Sequence, residues 1–582
     1  VNVPSTDIVT KDDHNDQLPF NLERTSMNDW WQSAAIYQIY PRSFMDSNND
    51  GSGDLPGIIE KLDHVTGLGV DAIWISPFFK SPMKDYGYDV SGYCEVDPVF
   101  GTLDDFDCLV EAAHERGVRV LIDQVLSHTS DQHPWFTESR QSRDNPKADW
   151  YVWADAREDG CAPNNWLSVF GGISWEWDPR RSQYYLHNFL ISQPDLNLHH
   201  PQVRQASLGN LEFWLKRGVD GFRLDAINFC THDVELRDNP GRGETMRLFL
   251  AADGLVMPYG LQRHVYDNSR PETLEFLEEI RALLDRYDAV ALGEVGGDRP
   301  AELMGDYIRG ERRLHTAYNF SLMGPDKSAK HIGNTVREFQ ETTDGGYPCM
   351  ALGNHDVTRL ASRWVEGDPE PESVKLHMAM LACLRGPFCV YQGDELGLPE
   401  AALERHQLRD PYGVNFWPKF KGRDGCRTPM PWQRDAANAG FSNAQPWLPI
   451  DARHYELAAD QQVAVSGSIY ESLREFLAWR KRQTAILEGV IDILEGFGEV
   501  LAFTRSCPSQ SLLFYFNLGA APAATPLAID WRGAEPLSLG DAIGLQQGRI
   551  QGDALVFAPR SMLILEKLAD CCPAAHSQFR LD

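Results

Sequence analysis

The chain has 582 residues, 42% hydrophobic and 24% charged, the composition of a folded globular protein and room for roughly three to four average domains or one large barrel with additions. Asp and Glu total 84 against 54 for Lys and Arg, a formal net charge of -30; such a surface repels phosphate backbones and anionic lipid, which argues against nucleic acid and membrane as partners and leaves a neutral substrate unpenalised. No apolar run approaches the ~18 residues of a membrane span.

Residues 1–26 are polar, lack an apolar signal segment, and read as a leader or a disordered tail set apart from the fold. Patterned sequence starts at Met27. From there β-branched, apolar strand candidates alternate with amphipathic stretches. Strands are expected at 35–40, 71–75, 118–123, 221–225, 289–294, 316–320, 350–354 and 388–391. The first helix is marked by Leu55, Ile58, Ile59, Leu62 and Val65 at helical spacing, closed by the turn Gly67-Leu68-Gly69. Further helices are expected at 102–116, 203–217, 271–287 and 372–384, and a last one near 473–482. This alternation predicts an α/β fold with a closed (β/α)8 TIM barrel. A doubly wound sheet is the alternative, but no Gly-x-Gly-x-x-Gly follows the first strand.

Two connections are too long for loops. The stretch after the third strand, rich in Trp, Asp, Pro and Gly, reads as an inserted subdomain, and 393–468 reads as a second long insertion. Past Gly489 short alternating runs at 500–504, 511–517, 554–557 and 561–565 predict a small antiparallel β domain. The expected division is barrel at 27–127 and 196–488, inserted subdomain at 128–195, and C-terminal β domain at 489–582. Cysteine is present 11 times, without metal-type spacing, and Cys571-Cys572 is the one close pair. Adjacent cysteines bridge poorly, so reduced thiols and a cytoplasmic, non-oxidising home are expected. Trp30 and Trp31 are expected to cover the barrel bottom or edge, and His64 and His114 to be surface or satisfied core residues.

In a TIM barrel, chemistry sits at the C-terminal ends of the strands. Strand three ends at Asp123, strand four at Asp225 and strand five at Glu294, and strand seven runs into Asn354-His355-Asp356. Several like charges at one mouth are costly, and stability alone would not select them. Paired carboxyls suit glycosidic chemistry, one attacking the anomeric carbon and another donating a proton to the leaving oxygen. Arg223 lies two residues before Asp225, so both side chains share a face, and its guanidinium is expected to keep Asp225 ionised. Glu294 follows the apolar run Ala289-Val290-Ala291-Leu292; a dry setting there would raise its pKa, as a general acid requires.

The segments Ala35-Ile36-Tyr37-Gln38-Ile39-Tyr40-Pro41-Arg42-Ser43-Phe44, Asp123-Gln124-Val125-Leu126-Ser127-His128, Gln193-Pro194-Asp195-Leu196-Asn197, Gly221-Phe222-Arg223-Leu224-Asp225, Gly293-Glu294-Val295 and Gly353-Asn354-His355-Asp356 occur in this order. Through them the chain from Met27 onward resembles the α-amylase superfamily, glycoside hydrolase family 13, and more closely its α-glucosidase and oligo-1,6-glucosidase branch. The resemblance implies Asp225 as nucleophile, Glu294 as acid/base and Asp356 as the transition-state stabiliser on the sugar 2- and 3-hydroxyls. It implies a glucose shell of His128, Arg223 and His355, with Asp123 holding Arg223 behind them. Ser127 departs from the Asn usual in the family and puts the hydrogen bonds around His128 in question.

Lys84-Asp85-Tyr86-Gly87-Tyr88-Asp89-Val90 and Gly422-Arg423-Asp424-Gly425-Cys426-Arg427-Thr428-Pro429-Met430-Pro431-Trp432 are further marks of the branch. The resemblance gives Asp85 the non-reducing-end hydroxyls, makes Tyr88 a stacking platform for the apolar sugar face, pairs Arg423 with Asp85, and sets Phe170 at the pocket entrance. A charged pair closing one end of the pocket favours exo action on short sugars. Ala226, following the nucleophile, leans toward α-1,4 over α-1,6 bonds by analogy with the family. The implied activity is that of a retaining α-glucosidase acting on a small oligosaccharide or α-glucoside, with transglucosylation where a sugar replaces water. Oligo-1,6-glucosidase, sucrose hydrolase and sugar isomerase are alternatives within the family, and a catalytically inactive ancillary relative is the alternative outside enzymes.

Asp46-Ser47-Asn48-Asn49-Asp50-Gly51-Ser52-Gly53-Asp54 places oxygen donors at alternate positions and begins like an EF-hand, but Gly57 stands where that loop needs a bidentate Glu. In the family this loop binds Ca2+ or Mg2+, which implies Asp46, Asn48, Asp50, the Ser52 backbone and Asp54 as ligands of a stabilising hard cation.

Overall fold

A computed structural model of the chain describes residues 30–243, 257–365, 370–540 and 543–567. Eight parallel strands form its centre: β1 (Ala35–Ile39), β2 (Ala72–Ile75), β3 (Arg119–Val125), β4 (Gly221–Asp225), β5 (Val290–Glu294), β6 (Thr316–Tyr318), β7 (Met350–Ala351) and β8 (Phe388–Tyr391). The ladders run β6-β5-β4-β3-β2-β1-β8-β7, and Cys349 N–H donates to the Ala317 carbonyl at 2.9 Å, which joins β7 to β6 and closes the ring. Nearly every strand residue is buried, because the inner face fills the barrel and the outer face lies under helices.

Each strand is followed by its helix: α1 (Leu55–Gly67), α2 (Leu103–Glu115), α3 (Pro201–Leu215), α4 (Thr273–Asp285), α5 (Pro300–Ile308), α6 (Ala329–Thr343), α7 (Pro371–Cys383) and α8 (Ile469–Arg480). The Asp54 side chain caps α1 by accepting from Gly57 N–H at 2.7 Å, and α1 buries Leu55, Ile58, Leu62 and Val65, the stripe expected from their spacing. α2 starts with a reciprocal capping box between Thr102 and Asp105. Helices α5 and α6 were not among the sequence expectations. β7 is shorter than expected because Asn354 Oδ1 turns back to accept the Asp356 N–H at 2.8 Å, an Asx turn that ends the extended run.

Between β3 and α3 stands a small antiparallel sheet of Trp153–Ala154, Trp175–Asp178 and Gln183–Leu186. It lies within the expected insertion. After α8 comes an antiparallel sheet led by Val490–Leu494, Val500–Cys507, Gln510–Asn517 and Ser561–Lys567. Its residues alternate strictly: Leu501, Phe503, Leu512, Phe514, Phe516, Met562 and Ile564 join the main core, while Val500, Ala502, Leu513, Tyr515, Leu563 and Leu565 build a second core. That is the period of two of a sheet buried on both faces. Arg119 lies over the Trp30 ring at 4.4 Å, and Trp31 meets His315 edge-on at 5.5 Å; Arg119 begins β3 and His315 precedes β6, so both tryptophans cover the barrel bottom. His64 contacts Glu395 at 3.1 Å and His114 contacts Asp220 at 2.7 Å, as satisfied residues. All nine described cysteines are free; Cys571 and Cys572 lie outside the described residues. No helix among the described residues is long and apolar enough to cross a membrane.

Candidate active site

The C-terminal ends of β3, β4, β5 and β6 deliver Asp123, Arg223 with Asp225, Glu294, and Tyr318 to one point. Arg223 is the hub. Its Nη1 donates to Asp225 Oδ1 at 2.7 Å and to Asp123 Oδ1 at 2.8 Å. Its Nη2 donates to the Tyr318 hydroxyl at 2.8 Å and pairs with Glu294 Oε2 at 2.7 Å. Trp74 lies under the guanidinium at 4.9 Å. Arg223 and Asp123 are 0% and 1% exposed, whereas Asp225 and Glu294 reach 8% and 7%. The first two are therefore sealed beneath the site and the second two face into it.

This arrangement corrects the sequence expectation for both acids. Glu294 does not sit in a dry apolar niche: the run Val290 to Leu292 belongs to the barrel walls, while the carboxyl takes the Arg223 guanidinium, the Ala226 N–H at 3.0 Å and the Tyr318 hydroxyl at 3.2 Å. Nor does Arg223 serve Asp225 alone. Burial pushes the Asp225 carboxyl well above its ordinary range against the pull of Arg223, with Glu294 and Asp123 adding repulsion. Asp123 is pushed up to about 6, again by burial opposed by Arg223. One guanidinium is thus shared among the carboxyls of Asp123, Asp225 and Glu294, and burial raises the first two against its pull.

A second arginine-centred group closes beside the first. Arg423 grips Asp410 with a fork of Nη2 to Oδ1 at 2.9 Å and Nε to Oδ2 at 3.2 Å, reaches Asp85 Oδ1 at 2.8 Å and Asp356 Oδ1 at 3.2 Å, and lies over the Phe170 ring at 5.3 Å. Arg427 adds a bond to Asp356 Oδ1 at 2.8 Å. Burial works against ionisation of Asp356, but the Arg423 and Arg427 guanidiniums outweigh it and hold the carboxyl below its ordinary range. Phe170 meets Tyr412 at 5.1 Å, so the insertions after β3 and β8 touch across this end. The expected Asp85–Arg423 pair is present.

Tyr88, His355 and His128 stand between the groups. The Tyr88 ring stacks on His355 at 5.4 Å, and its hydroxyl bonds His355 Nε2 at 2.6 Å and Asp123 Oδ2 at 3.1 Å. Gln38 Nε2 bonds His355 Nδ1 at 2.7 Å, and burial keeps this imidazole neutral, far below its usual pKa. Ser127 Oγ bonds His128 Nδ1 at 3.0 Å and the Tyr88 carbonyl lies 3.0 Å from Nε2; Ser127 thus holds the ring despite departing from the family pattern. Burial takes His128 down to about 4. Gln193 Nε2 bridges Asp85 Oδ2 at 3.1 Å and His128 at 3.2 Å. Tyr318, Asp410 and Arg427 were not among the expected site residues. The first two carry no sequence signal until β6 and the 404–427 loop are folded; Arg427 sat four residues from Arg423 in a segment already singled out.

The Asp46–Asp54 loop lies apart from these groups. Asp46 Oδ1 accepts from Asn49 N–H at 2.7 Å and Oδ2 from Gly51 N–H at 2.8 Å. Asn48 Oδ1 accepts from Asp50 N–H at 2.9 Å and Asp50 Oδ1 from Ser52 N–H at 2.8 Å. Asp54 Oδ2 takes the Ser47 hydroxyl at 2.9 Å. Among the described residues no three His, Cys, Asp or Glu side chains gather as a metal cage. The donors are nonetheless all oxygen, the set that fits a hard cation.

The α-amylase catalytic-domain model matches residues 38–489. The chain belongs to the α-amylase family. Within that family it is 53% identical over 513 residues to a probable α-glucosidase of Rhizobium meliloti (strain 1021), covering 88% of this chain and 92% of that one. An oligo-1,6-glucosidase of Parageobacillus thermoglucosidasius is 36% identical over 84% of this chain and 90% of its own. The crystal structure of an α-glucosyl transfer enzyme, XgtA, superposes with TM-score 0.88 at 52% identity, covering 93% of this chain and 99% of that chain. The chain is accordingly a glycoside hydrolase of the α-amylase family, of α-glucosidase type, and the reading of an inactive ancillary relative is set aside.

Proposed function

We propose that the protein is a retaining exo-α-glucosidase that removes the terminal glucose from short α-1,4-linked sugars such as maltose. The observation that carries this reading is the pair of site-facing acids, Asp225 and Glu294, on the two arms of one buried guanidinium, with Arg423 braced by Asp85 and Asp410 at the neighbouring end. Arg223 holds Asp225 Oδ1, which leaves the other oxygen to attack the anomeric carbon. As that C–O bond forms, the bond to the leaving oxygen breaks and Glu294 gives that oxygen its proton. The retaining mechanism requires Glu294 to carry the proton in the substrate complex and Asp225 to be the carboxylate. Glu294, now a carboxylate, takes a proton from water; the water oxygen bonds the anomeric carbon, the ester to Asp225 breaks, and α-glucose leaves. A sugar hydroxyl in place of water gives transglucosylation, which the likeness to XgtA supports.

Asp356, kept anionic by its two arginines, is suited to the 2- and 3-hydroxyls and to the positive charge of an oxocarbenium-like transition state. Asp85 would take the non-reducing-end hydroxyls, Tyr88 the sugar face, and His128 and His355 the remaining glucose contacts, with Phe170 at the entrance. The α-1,4 preference rests on Ala226, whose N–H bonds Glu294 and which therefore lies where the leaving group departs. We also propose a structural Ca2+ or Mg2+ on Asp46, Asn48, Asp50, the Ser52 carbonyl and Asp54, and a cytoplasmic, reducing home. The deciding experiment is initial rates on maltose and isomaltose with the first product followed by NMR. Fast maltose cleavage releasing α-glucose is the expected result. Preference for isomaltose would discard the linkage, and release of β-glucose would discard the retaining mechanism.

A further inference from the structure

Tyr318 ends β6 and pairs in register with Glu294 at the end of β5. Its ring is buried, 1% exposed, and packs near Trp74 and Phe320 at 6.0 and 6.1 Å. Its hydroxyl accepts from Arg223 Nη2 at 2.8 Å and so has its own proton to give, which it directs to Glu294 Oε1 at 3.2 Å. Burial holds the phenol well above its ordinary pKa, so it remains a donor. Glu294 Oε2 is already taken by Arg223 and by the Ala226 N–H. Among the hydrogen bonds of the described residues, Tyr318 is the partner at Oε1.

We infer that Tyr318 is the positioning residue for proton transfer by Glu294: its hydroxyl fixes the plane of the carboxyl group and relays the orientation of Arg223 to it. The inference rests on the acid/base reading of Glu294. A carboxyl plane turns in a broad, shallow well, and proton transfer to a leaving oxygen depends on the oxygen that holds the proton being aimed. The guanidinium arm and the Ala226 N–H both contact Oε2, and contacts at one oxygen leave the carboxyl room to swing about it. The hydroxyl at Oε1 removes that freedom. It also donates to the carboxylate that forms once the proton has left, and so serves the second half-reaction, in which Glu294 must accept a proton from water. The hydroxyl exchanges no atoms with the substrate.

The test is a series of aryl α-glucosides of graded leaving-group acidity, plus maltose, assayed with the wild type, Tyr318→Phe and Glu294→Gln. Tyr318→Phe deletes only the hydroxyl and keeps the ring packing; Tyr318→Gln, whose amide both accepts and donates, is the second variant. Tyr318→Phe should lower kcat/KM on maltose by about 10- to 100-fold, less than the whole contribution of a general acid because Glu294 itself remains, and leave 4-nitrophenyl α-glucoside within about threefold, because a good leaving group needs little protonation. The plot of log kcat/KM against leaving-group pKa should steepen, and Tyr318→Gln should recover part of the maltose rate. A uniform loss across the series would overturn the inference, because it would mean that Tyr318 acts through Arg223 on the attacking Asp225. Glu294→Gln separates the two claims. If it gives the steep plot while Tyr318→Phe gives a flat loss, the acid/base reading stands and the inference falls. If Glu294→Gln itself loses rate uniformly, the acid/base reading falls first.

Discussion

Arg223 has one charge and three carboxyl partners within hydrogen-bonding distance. Asp225→Asn removes one member of that overcrowded set, so it should abolish turnover by several orders of magnitude while leaving the melting temperature equal to or above that of the wild type. A melt by circular dichroism beside the rate on maltose checks both, and near-normal turnover would remove Asp225 from the nucleophile's role. Relief of repulsion without relief of function is what an arrangement selected for chemistry predicts. The pairing of Arg223 with Asp225 was legible because residues two apart on a strand share a face. The surroundings of Glu294 were not. Its neighbours in sequence are apolar, but its neighbours in space come from β4 and β6, and a strand-end side chain takes its environment from adjacent strands. Tyr318 escaped notice for the same reason: nothing in Thr316-Ala317-Tyr318 marks the residue until register places it beside Glu294.

The insertions are the elements that turn a barrel mouth into a site. The segment after β3 returns to the barrel at Asp195, whose backbone lies opposite His128 in an isolated antiparallel β-bridge and whose side chain accepts from Asn188 N–H at 3.3 Å. Burial pushes Asp195 from 3.8 to about 8. The folded state therefore binds a proton that the unfolded state has released, so this residue's contribution to stability is full below about pH 4 and is lost as pH rises through about 8. The melting temperature of Asp195→Asn minus that of the wild type should grow more positive between about pH 5 and about pH 8; a flat difference would mean the carboxyl is ionised throughout. The Asp46–Asp54 loop is tied to the second insertion by Asn49 Oδ1, which accepts from Asn443 N–H at 3.0 Å, and by Gly51 O, which accepts from Trp447 N–H at 2.9 Å. If it holds a cation, dialysis against EDTA should lower the melting temperature and Ca2+ or Mg2+ should restore it; no shift, with no metal by elemental analysis, would remove the site. The sequence marked both insertions by length and composition, and it marked the loop by its alternate oxygen donors. What it could not give is that Tyr412, far along the second insertion, meets Phe170 of the first.

At the scale of the molecule, one buried arginine joins the C-terminal sheet to the barrel. Arg505 Nη1 donates to the carbonyls of Cys383 and Leu384 at 2.8 and 2.9 Å, where α7 ends, and Nη2 to Gly489 O at 2.9 Å and to Ile486 O. Burial brings its pKa down to about 9. Arg505→Met strands those carbonyls and should cost on the order of 3 kcal/mol or more, read as a lower melting temperature for the whole chain with kcat at 25 °C unchanged; a selective loss of activity would give the sheet a part in catalysis. The β domain was legible from its alternation, but this joint was not, because an arginine in a strand gives no sign of which carbonyls it will find. The end of the site barred by Arg423, Asp85 and Asp410 sets how the proposed enzyme perceives a polymer. A chain is visible to it only at its tip, so the concentration that governs rate is the number of tips per litre. Debranching or shortening a glucan at constant mass should quicken glucose release in proportion to the ends created, and a long unbranched glucan should look almost like empty solution.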